Sequence, residues 1–238
     1  MMTFLIVLSL LFACAGATAD PIDPGEGGDY SVTIDPADFV SEIDNDRLPF
    51  HPGSTWVYES TGGGEVERIE VVVTEEKRTV MGVTTTVVRD TVTIDGEMVE
   101  DTHDWYAQDQ EGNVWYFGED TAEYEDGEII STAGAWEAGV DGALPGIAME
   151  ADPTVGDSYR QEYYPGEAED LAEVVRDGVS EEVGFGGFDD LIVIEEWTPL
   201  EPDVVEEKYY ASEVGVVLET TVQGGSARIE LISFTSGR

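Results

Sequence analysis

Short β-favouring segments separated by turn signals recur along most of this chain. Asp95-Gly96, Asp126-Gly127 and Gly224-Gly225 each lie between two such segments. An Asp-Gly pair is favoured in two-residue hairpins because both residues tolerate positive φ. Hairpins joined by short turns give antiparallel sheets, since parallel strands need long crossovers. The sequence therefore predicts an all-β fold, an antiparallel meander that forms a curved sheet, a half-barrel or a closed barrel.

Two stretches interrupt this pattern. In the segment Glu167–Arg176, Leu171, Val174 and Val175 have helical spacing, but Ala172 and Val174 fit a strand nearly as well. The sequence therefore predicts at most one short helix. Residues 134–146 contain four glycines and a proline and are predicted to form a long ordered loop. The predicted strands elsewhere are 55–59, 66–76, 84–94, 97–109, 114–118, 128–131, 158–164, 191–197, 206–211, 214–222 and 227–234.

The first nineteen residues are typical of a secretory signal peptide. An uncharged apolar run extends to Phe12 and is shorter than the roughly 20 residues that span a bilayer. Its end resembles a lipobox in which Cys14 would be lipidated, while Ala17-Thr18-Ala19 offers an ordinary cleavage site. We expect an exported lipoprotein anchored to the bilayer on the extracytoplasmic side. A secreted soluble protein is the alternative.

After the signal peptide, residues 20–38 are predicted to form an acidic linker rich in glycine and proline, and residues 39–238 a single all-β domain. The whole chain has 53 acidic and 10 basic residues and a net charge of −43. Such a surface excludes nucleic-acid binding, which requires lysine and arginine. Inorganic cations are expected to screen the mutual repulsion of the carboxylates, as in proteins adapted to salt; a simply solvated acidic surface is the alternative.

Aromatic side chains beside acids suggest a binding surface. They are Trp105, Tyr106, Trp115, Tyr116 and Trp136. Aromatic rings next to carboxylates are common in saccharide-binding sites, but the same rings can pair across strands and fill the core. The sequence leaves both interpretations open.

The same region offers oxygen ligands for a hard cation such as Ca²⁺. The candidate metal ligands are Asp101, Asp104, Asp109, Glu119 and Asp120. None has EF-hand spacing, so loosely held counterions are the alternative to a specific site. No other cofactor is expected, because His51 and His103 have no second histidine or cysteine at zinc-binding spacing.

No motif assigns a reaction. Pairs of carboxylates could support a glycosidase, but so many acids offer pairs everywhere. We therefore expect a non-enzymatic protein that binds a ligand, a protein partner or a saccharide.

Several motifs occur together: 104–109 (DWYAQD), 112–119 (GNVWYFGE), 136–147 around Trp136, and 208–217 (KYYASEVGVV). They resemble a family of uncharacterised exported bacterial and archaeal proteins, many of them lipoproteins. The tyrosine-rich strand before Val214 is also similar to exported lipoproteins with an open half-barrel. The resemblance implies export and an all-β fold, and it supplies no catalytic residues.

Overall fold

The computed structural model describes residues 30–60 and 66–237, which form one antiparallel sheet. A 3-10 helix at Pro36–Asp38 precedes the strands. The fifteen strands of this part of the chain are β1 (Thr55–Ser60), β2 (Glu67–Val80), β3 (Val83–Ile94), β4 (Glu97–Gln108), β5 (Val114–Glu125), β6 (Glu128–Ser131), β7 (Trp136–Glu137), β8 (Leu144–Met149), β9 (Ser158–Arg160), β10 (Glu162–Tyr163), β11 (Leu171–Val183), β12 (Gly186–Trp197), β13 (Val205–Ala211), β14 (Gly215–Gln223) and β15 (Arg228–Thr235).

The sheet is open and curved, and it is not closed into a barrel. Its strand order is β10-β8-β5-β4-β3-β2-β1-β15-β14-β13-β12-β11-β9, with β6 and β7 also paired to β5. The two ends of this order are neighbours along the chain, since only Gln161 separates β9 from β10. Residues 160 and 161 lie directly against β8 at Gly146, where a Cβ atom would collide with the carbonyl oxygens of Arg160 and Gln161. The all-β prediction is confirmed, and of the three forms left open the sheet adopts a curved, open one.

The predicted Asp-Gly hairpins are present. Asp95 and Gly96 have φ of 51° and 88°, and Asp126 and Gly127 have φ of 54° and 79°. Ile94 pairs with Glu97 across the first turn. Since a shift of one residue would exchange the two faces of each strand, these turns fix which side chains face the interior.

Two sequence predictions need correction. The helical alternative for Glu167–Arg176 is wrong: β11 begins at Leu171 and pairs with both β12 and β9. Leu171, Ala172 and Val174 are all buried there. Since neighbouring residues of a strand point to opposite faces, both faces of β11 are covered at this end. The predicted loop 134–146 contains the short strand β7 and the start of β8.

The folded region begins before Phe39, contrary to the predicted linker boundary. Tyr30 is 5% exposed and donates a hydrogen bond from its hydroxyl group to the carbonyl oxygen of Pro145, 2.8 Å away. Val32 and Ile34 pack against the core. Residues 30–38 are therefore part of the folded body. The predicted signal peptide with Cys14, and linker residues 20–29, lie outside the described residues.

Alternation along the strands separates two environments. On β4 and β5, Trp105 and Phe117 are buried on one side of the sheet, while Tyr106 and Tyr116 stack on the other with ring centroids 4.7 Å apart. Phe39 contacts Phe117 at 5.5 Å between centroids. Within the described residues, no helix is long and apolar enough to cross a membrane.

Candidate functional site

The concave face of the curved sheet encloses a cavity of about 290 Å³, which we call the cup cavity. Tyrosines and apolar residues form one part of its lining, and ionisable side chains form the rest. Its lining consists of Leu48, Phe50, Trp56, Tyr58, Ile69, Val71, Val88, Asp90, Asp104, Tyr106, Tyr116, Ala148, Gln161, Glu162, Asp170, Glu196, Lys208, Tyr210, Gly215, Val216, Glu219 and Ile229. The cavity thus combines charge with aromatic surface, as small-molecule sites commonly do.

Strand periodicity explains how this lining forms. Residues two apart on a strand share a face, and the cup cavity receives such pairs from strands distant in sequence. Trp56 with Tyr58, Val88 with Asp90, Asp104 with Tyr106, and Lys208 with Tyr210 are four of these pairs. Curvature brings their side chains together although the sequence separates them widely.

Lys208 is the one basic side chain among the described residues that line the cup cavity. Its Nζ atom lies 2.6 Å from Glu196 Oε2 and 4.0 Å from Glu219 Oε2. Burial by itself lowers the pKa of Lys208, but the two carboxylates outweigh it and hold that pKa well above its ordinary value. Lys208 is therefore a fixed cation inside the cavity.

Glu196 is the most heavily bonded acid of the group. Its Oε1 atom accepts hydrogen bonds from Gln161 Nε2 at 3.0 Å and from the Tyr210 hydroxyl group at 3.4 Å. With Lys208 on its other oxygen, this carboxylate joins β12, β13 and the link between β9 and β10. A polar network with every member partnered rigidifies its surroundings.

A second group of acids surrounds Tyr116. Its hydroxyl group lies 2.6 Å from Asp104 Oδ1 and 3.1 Å from Glu119 Oε2. Burial raises the pKa of Asp104 to about 7 and that of Glu119 to about 7, although the hydrogen bond to Tyr116 opposes the rise in each case. Repulsion from Glu119 also raises the pKa of Asp104, and repulsion from Glu100 raises the pKa of both acids.

Asp90 and the pair Glu162 and Asp170 complete the acidic lining. Burial first, and then repulsion from the nearby Asp104 carboxylate, raise the pKa of Asp90 to about 8. The Oδ1 atom of Asp90 is buried and has no hydrogen-bond partner among the described residues. Burial and mutual repulsion also raise the pKa of Glu162. For Asp170, burial and repulsion from Glu196 raise the pKa.

The five predicted aromatic residues divide between the two faces. Tyr106 and Tyr116 line the cup cavity. Trp105, Trp115 and Trp136 are 4%, 6% and 4% exposed and do not line the cavity. Burial on this scale leaves little of these three rings open to a sugar, so their geometry matches the core-packing interpretation.

The candidate metal ligands are dispersed and mostly engaged with protein donors. Asp101 is held by Arg89 through two hydrogen bonds of 2.7 and 2.8 Å. Asp109 accepts three backbone N–H groups of the following turn on Oδ1 and the indole N–H of Trp115 on Oδ2. Asp120 pairs with His103 across β4 and β5, whereas Asp104 and Glu119 share Tyr116. Among the described residues, no group of three or more acids, histidines or cysteines could hold a metal ion.

Sequence reasoning missed most of the ionisable lining. It did not single out Asp90, Glu162, Asp170, Glu196, Lys208 or Glu219. One signal was available: Lys208 is one of only two lysines in the chain, and it alternates with Tyr210 on a predicted strand. A lone lysine on the aromatic face of a strand indicates a buried charge that needs partners.

No protein-family model matches this chain, and no curated protein does. Two solved structures are similar. One is a Bacteroides fragilis protein described as exported and as having a YMCC-like fold, with a TM-score of 0.46 and 14% identity over 81% of this chain and 100% of the other. The second is described as a lipoprotein from Parabacteroides distasonis, with a TM-score of 0.44 and 12% identity over 80% of this chain and 99% of the other. Both TM-scores are below 0.5, so no property of those proteins is transferred to this chain.

Proposed function

We propose that this protein is an exported, non-enzymatic binding protein that holds a small molecule in the cup cavity. The observation that carries the proposal is the lining of this cavity of about 290 Å³, in which aromatic and ionisable side chains from eight strands and the segments between them converge. Its volume corresponds to the lower end of small-molecule sites, about 300 Å³. The ligand is therefore expected to be small.

A small charged or polar ligand is what this lining supports best. The three tryptophans predicted to stack on a saccharide lie outside the cup cavity, so the geometry gives less support to the saccharide-binding alternative. The carboxyl groups of the cavity are of the kind that glycosidases use, but no motif in the sequence assigns a reaction to them.

Export and lipid anchoring belong to the same proposal and depend on the sequence alone. The apolar leader ends at Cys14, and an acidic stretch follows it. Labelled palmitate should be incorporated in a bacterial host and should be lost in Cys14→Ser. If incorporation is unchanged in that variant, or if the mature chain stays in the cytosol, the anchor or the export is refuted.

Ligand binding can be tested by filling the cavity. Ala148 lies in β8 with its side chain on the cavity, so Ala148→Phe places a ring inside it. Ala227 is exposed before β15, so Ala227→Phe is the matched control. Thermal shifts are measured for both variants and the parent protein with a panel of small amines, alcohols, carboxylates and monosaccharides.

Compounds that stabilise the parent protein and Ala227→Phe but not Ala148→Phe support the proposal. The proposal is refuted if no compound in the panel stabilises the protein, or if stabilisation is equal in Ala148→Phe. Circular dichroism of Ala148→Phe without ligand verifies that the sheet still forms, because overpacking can cost about 1–3 kcal/mol.

A further inference from the structure

We infer that the ligand of the cup cavity is a small organic ammonium ion, with its nitrogen beside Asp90 and Asp104, which lie on the paired strands β3 and β4, and its carbon skeleton against the tyrosine rings. This inference rests on the proposed function, because it names the chemical class of the molecule that the cavity holds. Four observations support it: the balance of charge, the position of Lys208, the aromatic lining and an unpartnered carboxylate oxygen.

The balance of charge in the cup cavity is strongly negative when its acids are ionised. Among the described residues, six carboxyl groups line it against the single ammonium group of Lys208. Lys208 lies within 4.0 Å of only two of them. Among the described residues, no lysine or arginine nitrogen lies within ion-pair distance of the remaining four, which are Asp90, Asp104, Glu162 and Asp170. Buried carboxylates are costly without a cation, so this part of the cavity is complementary to a positive charge.

Lys208 shows what kind of cation this environment accepts. Its side chain is a four-carbon chain ending in an ammonium group, and 30% of it is accessible through the cavity. The ammonium group bonds to Glu196, whose other oxygen accepts the Tyr210 hydroxyl group. The cavity therefore already holds one alkylammonium group between carboxylates and a tyrosine. A ligand of the same chemistry would repeat this arrangement at the opposite group of acids.

The aromatic lining favours an organic ion over a metal ion. Tyr106 and Tyr116 are stacked at 4.7 Å, and Tyr58 and Phe50 also line the cavity. Aromatic faces attract ammonium groups and pack against hydrocarbon, whereas hard metal ions require several convergent oxygens. No such convergent group occurs among the described residues. A cavity of about 290 Å³ is also far larger than a single ion needs.

The fourth observation is independent of charge counting. Asp90 lines the cavity, and its buried Oδ1 atom has no hydrogen-bond donor among the described residues. An unsatisfied buried acceptor costs about 1–3 kcal/mol, and more when it is charged. An N⁺–H group in the cavity would supply the missing donor. Alcohols could supply a donor as well, but they could not neutralise the neighbouring carboxylates.

Binding should release protons near neutral pH. The carboxyl groups around Asp90 and Asp104 have raised pKa values because they are buried and repel one another, and an ammonium ion favours their ionised form. Affinity should therefore increase as pH rises from 5 to 8. The groups that face these two carboxyls are Glu100 on β4, Tyr116 and Glu119 on β5, Glu162 on β10, Lys208 on β13 and Glu219 on β14.

Isothermal titration calorimetry with matched probes tests the inference. The probes are n-butylammonium and 2-phenylethylammonium chloride, their neutral counterparts 1-butanol and 2-phenylethanol, and CaCl₂. At pH 7.5, we expect at least one ammonium probe to bind at least tenfold more tightly than its neutral counterpart. The binding enthalpy should vary with the ionisation enthalpy of the buffer, which reports proton release.

Three variants locate the binding site. Asp90→Asn and Asp104→Asn keep the shape of each side chain and remove its charge, and each should weaken ammonium binding at least tenfold. Glu97→Gln, at the exposed start of the strand that carries Asp104, is the control and should bind as the parent does. Unfolding curves of the three variants show whether each is still folded, so that a loss of binding can be distinguished from a loss of structure.

The outcomes separate this inference from the proposed function. Equal affinity for ammonium and alcohol probes, with both weakened by Ala148→Phe, would refute the ammonium class and leave the binding cavity in place. Stronger binding of Ca²⁺ than of any ammonium probe, lost in Asp90→Asn, would show an inorganic cation site instead. No binding by any probe would refute the inference, and the thermal shifts with the broader panel of compounds would then show whether the cavity binds a small molecule at all.

Discussion

Replacing Lys208 by methionine should destabilise the protein in a way that depends on pH. The substitution keeps a similar unbranched chain and leaves Glu196 and Glu219 without their cation. Removing one partner of a buried ion pair costs about 3–5 kcal/mol. Lys208 and Glu196 are 30% and 12% exposed through the cavity. We therefore expect a loss of about 3 kcal/mol at pH 8, which lowers the melting temperature by roughly 6–12 °C in a domain of this size.

The sign of the pH dependence follows from Glu219. Burial raises the pKa of Glu219 in the folded protein and Lys208 opposes that rise, so without Lys208 the pKa rises further above its value in the unfolded chain. An acid with a raised pKa destabilises the folded state increasingly as pH rises through the interval between the two values. The difference between Lys208→Met and the parent should therefore be small at pH 5 and large at pH 8.

Urea unfolding at both pH values measures this difference. Lys77→Met is the control, because it removes the only other lysine, an exposed one that bonds Thr86 at 2.8 Å; its effect should stay within about 1 kcal/mol at either pH. The double variant Lys208→Met/Glu196→Gln should recover part of the loss. If Lys208→Met costs no more than Lys77→Met at pH 8, or if its cost is the same at both pH values, the buried pair does not exist as described.

Three further predictions follow from the same structure. Asp90→Asn should stabilise the protein by roughly 2 kcal/mol at pH 8 and little at pH 4. Burial raises the pKa of Asp90 from 3.8 to about 8, so the cost of ionising this carboxyl in the folded protein grows as pH rises through that interval. Urea unfolding that shows no gain in stability at pH 8 would contradict this. The melting temperature should rise with NaCl, because 53 acids repel one another and salt screens them, and CaCl₂ at equal ionic strength should raise it equally. A larger effect of CaCl₂ would indicate a specific calcium site, and no effect of either salt would refute the screening of the carboxylates by cations. Gly118→Ala should lower the free energy of unfolding by about 3 kcal/mol or more, because Gly118 has φ of 123° and a Cβ atom would collide with the Trp136 carbonyl oxygen. The control Gly96→Ala, at φ of 88° with no other atom within 4 Å of its Cβ position, should lower it by about 1 kcal/mol. Equal losses in thermal unfolding would contradict this prediction.

Local sequence signals predicted the hairpins well because each depends on two or three adjacent residues. Asp95-Gly96 and Asp126-Gly127 adopt the positive φ values that their composition favours. β11 was ambiguous because its apolar residues are buried on both faces, so the alternation that marks a half-buried strand is missing. The sequence did not predict β8 because Pro145 and Gly146 are uncommon within strands. Gly146 occurs there because another part of the chain approaches it closely.

The cup cavity could not be predicted in the same way. Asp90, Glu162 and Lys208 lie on three strands far apart in sequence, and only the curvature of the sheet brings them into one cavity. Register shifts add to the difficulty: one between Tyr209 and Tyr210 changes which residues of β14 face Lys208. With 53 acids in the chain, acidity alone could not distinguish the six carboxyls of the cavity from those on the surface.

Carboxyl ¹³C NMR titration of the aspartates and glutamates, with and without 2-phenylethylammonium, tests the central claim most directly. The claim is that the concave face gathers buried carboxyl groups around a cavity that receives a positive charge. In the free protein Asp90 should titrate near pH 8 and Asp104 near pH 7, and both midpoints should fall when the amine is added. Midpoints near 4 in the free protein, or midpoints that do not move with the amine, would contradict the account.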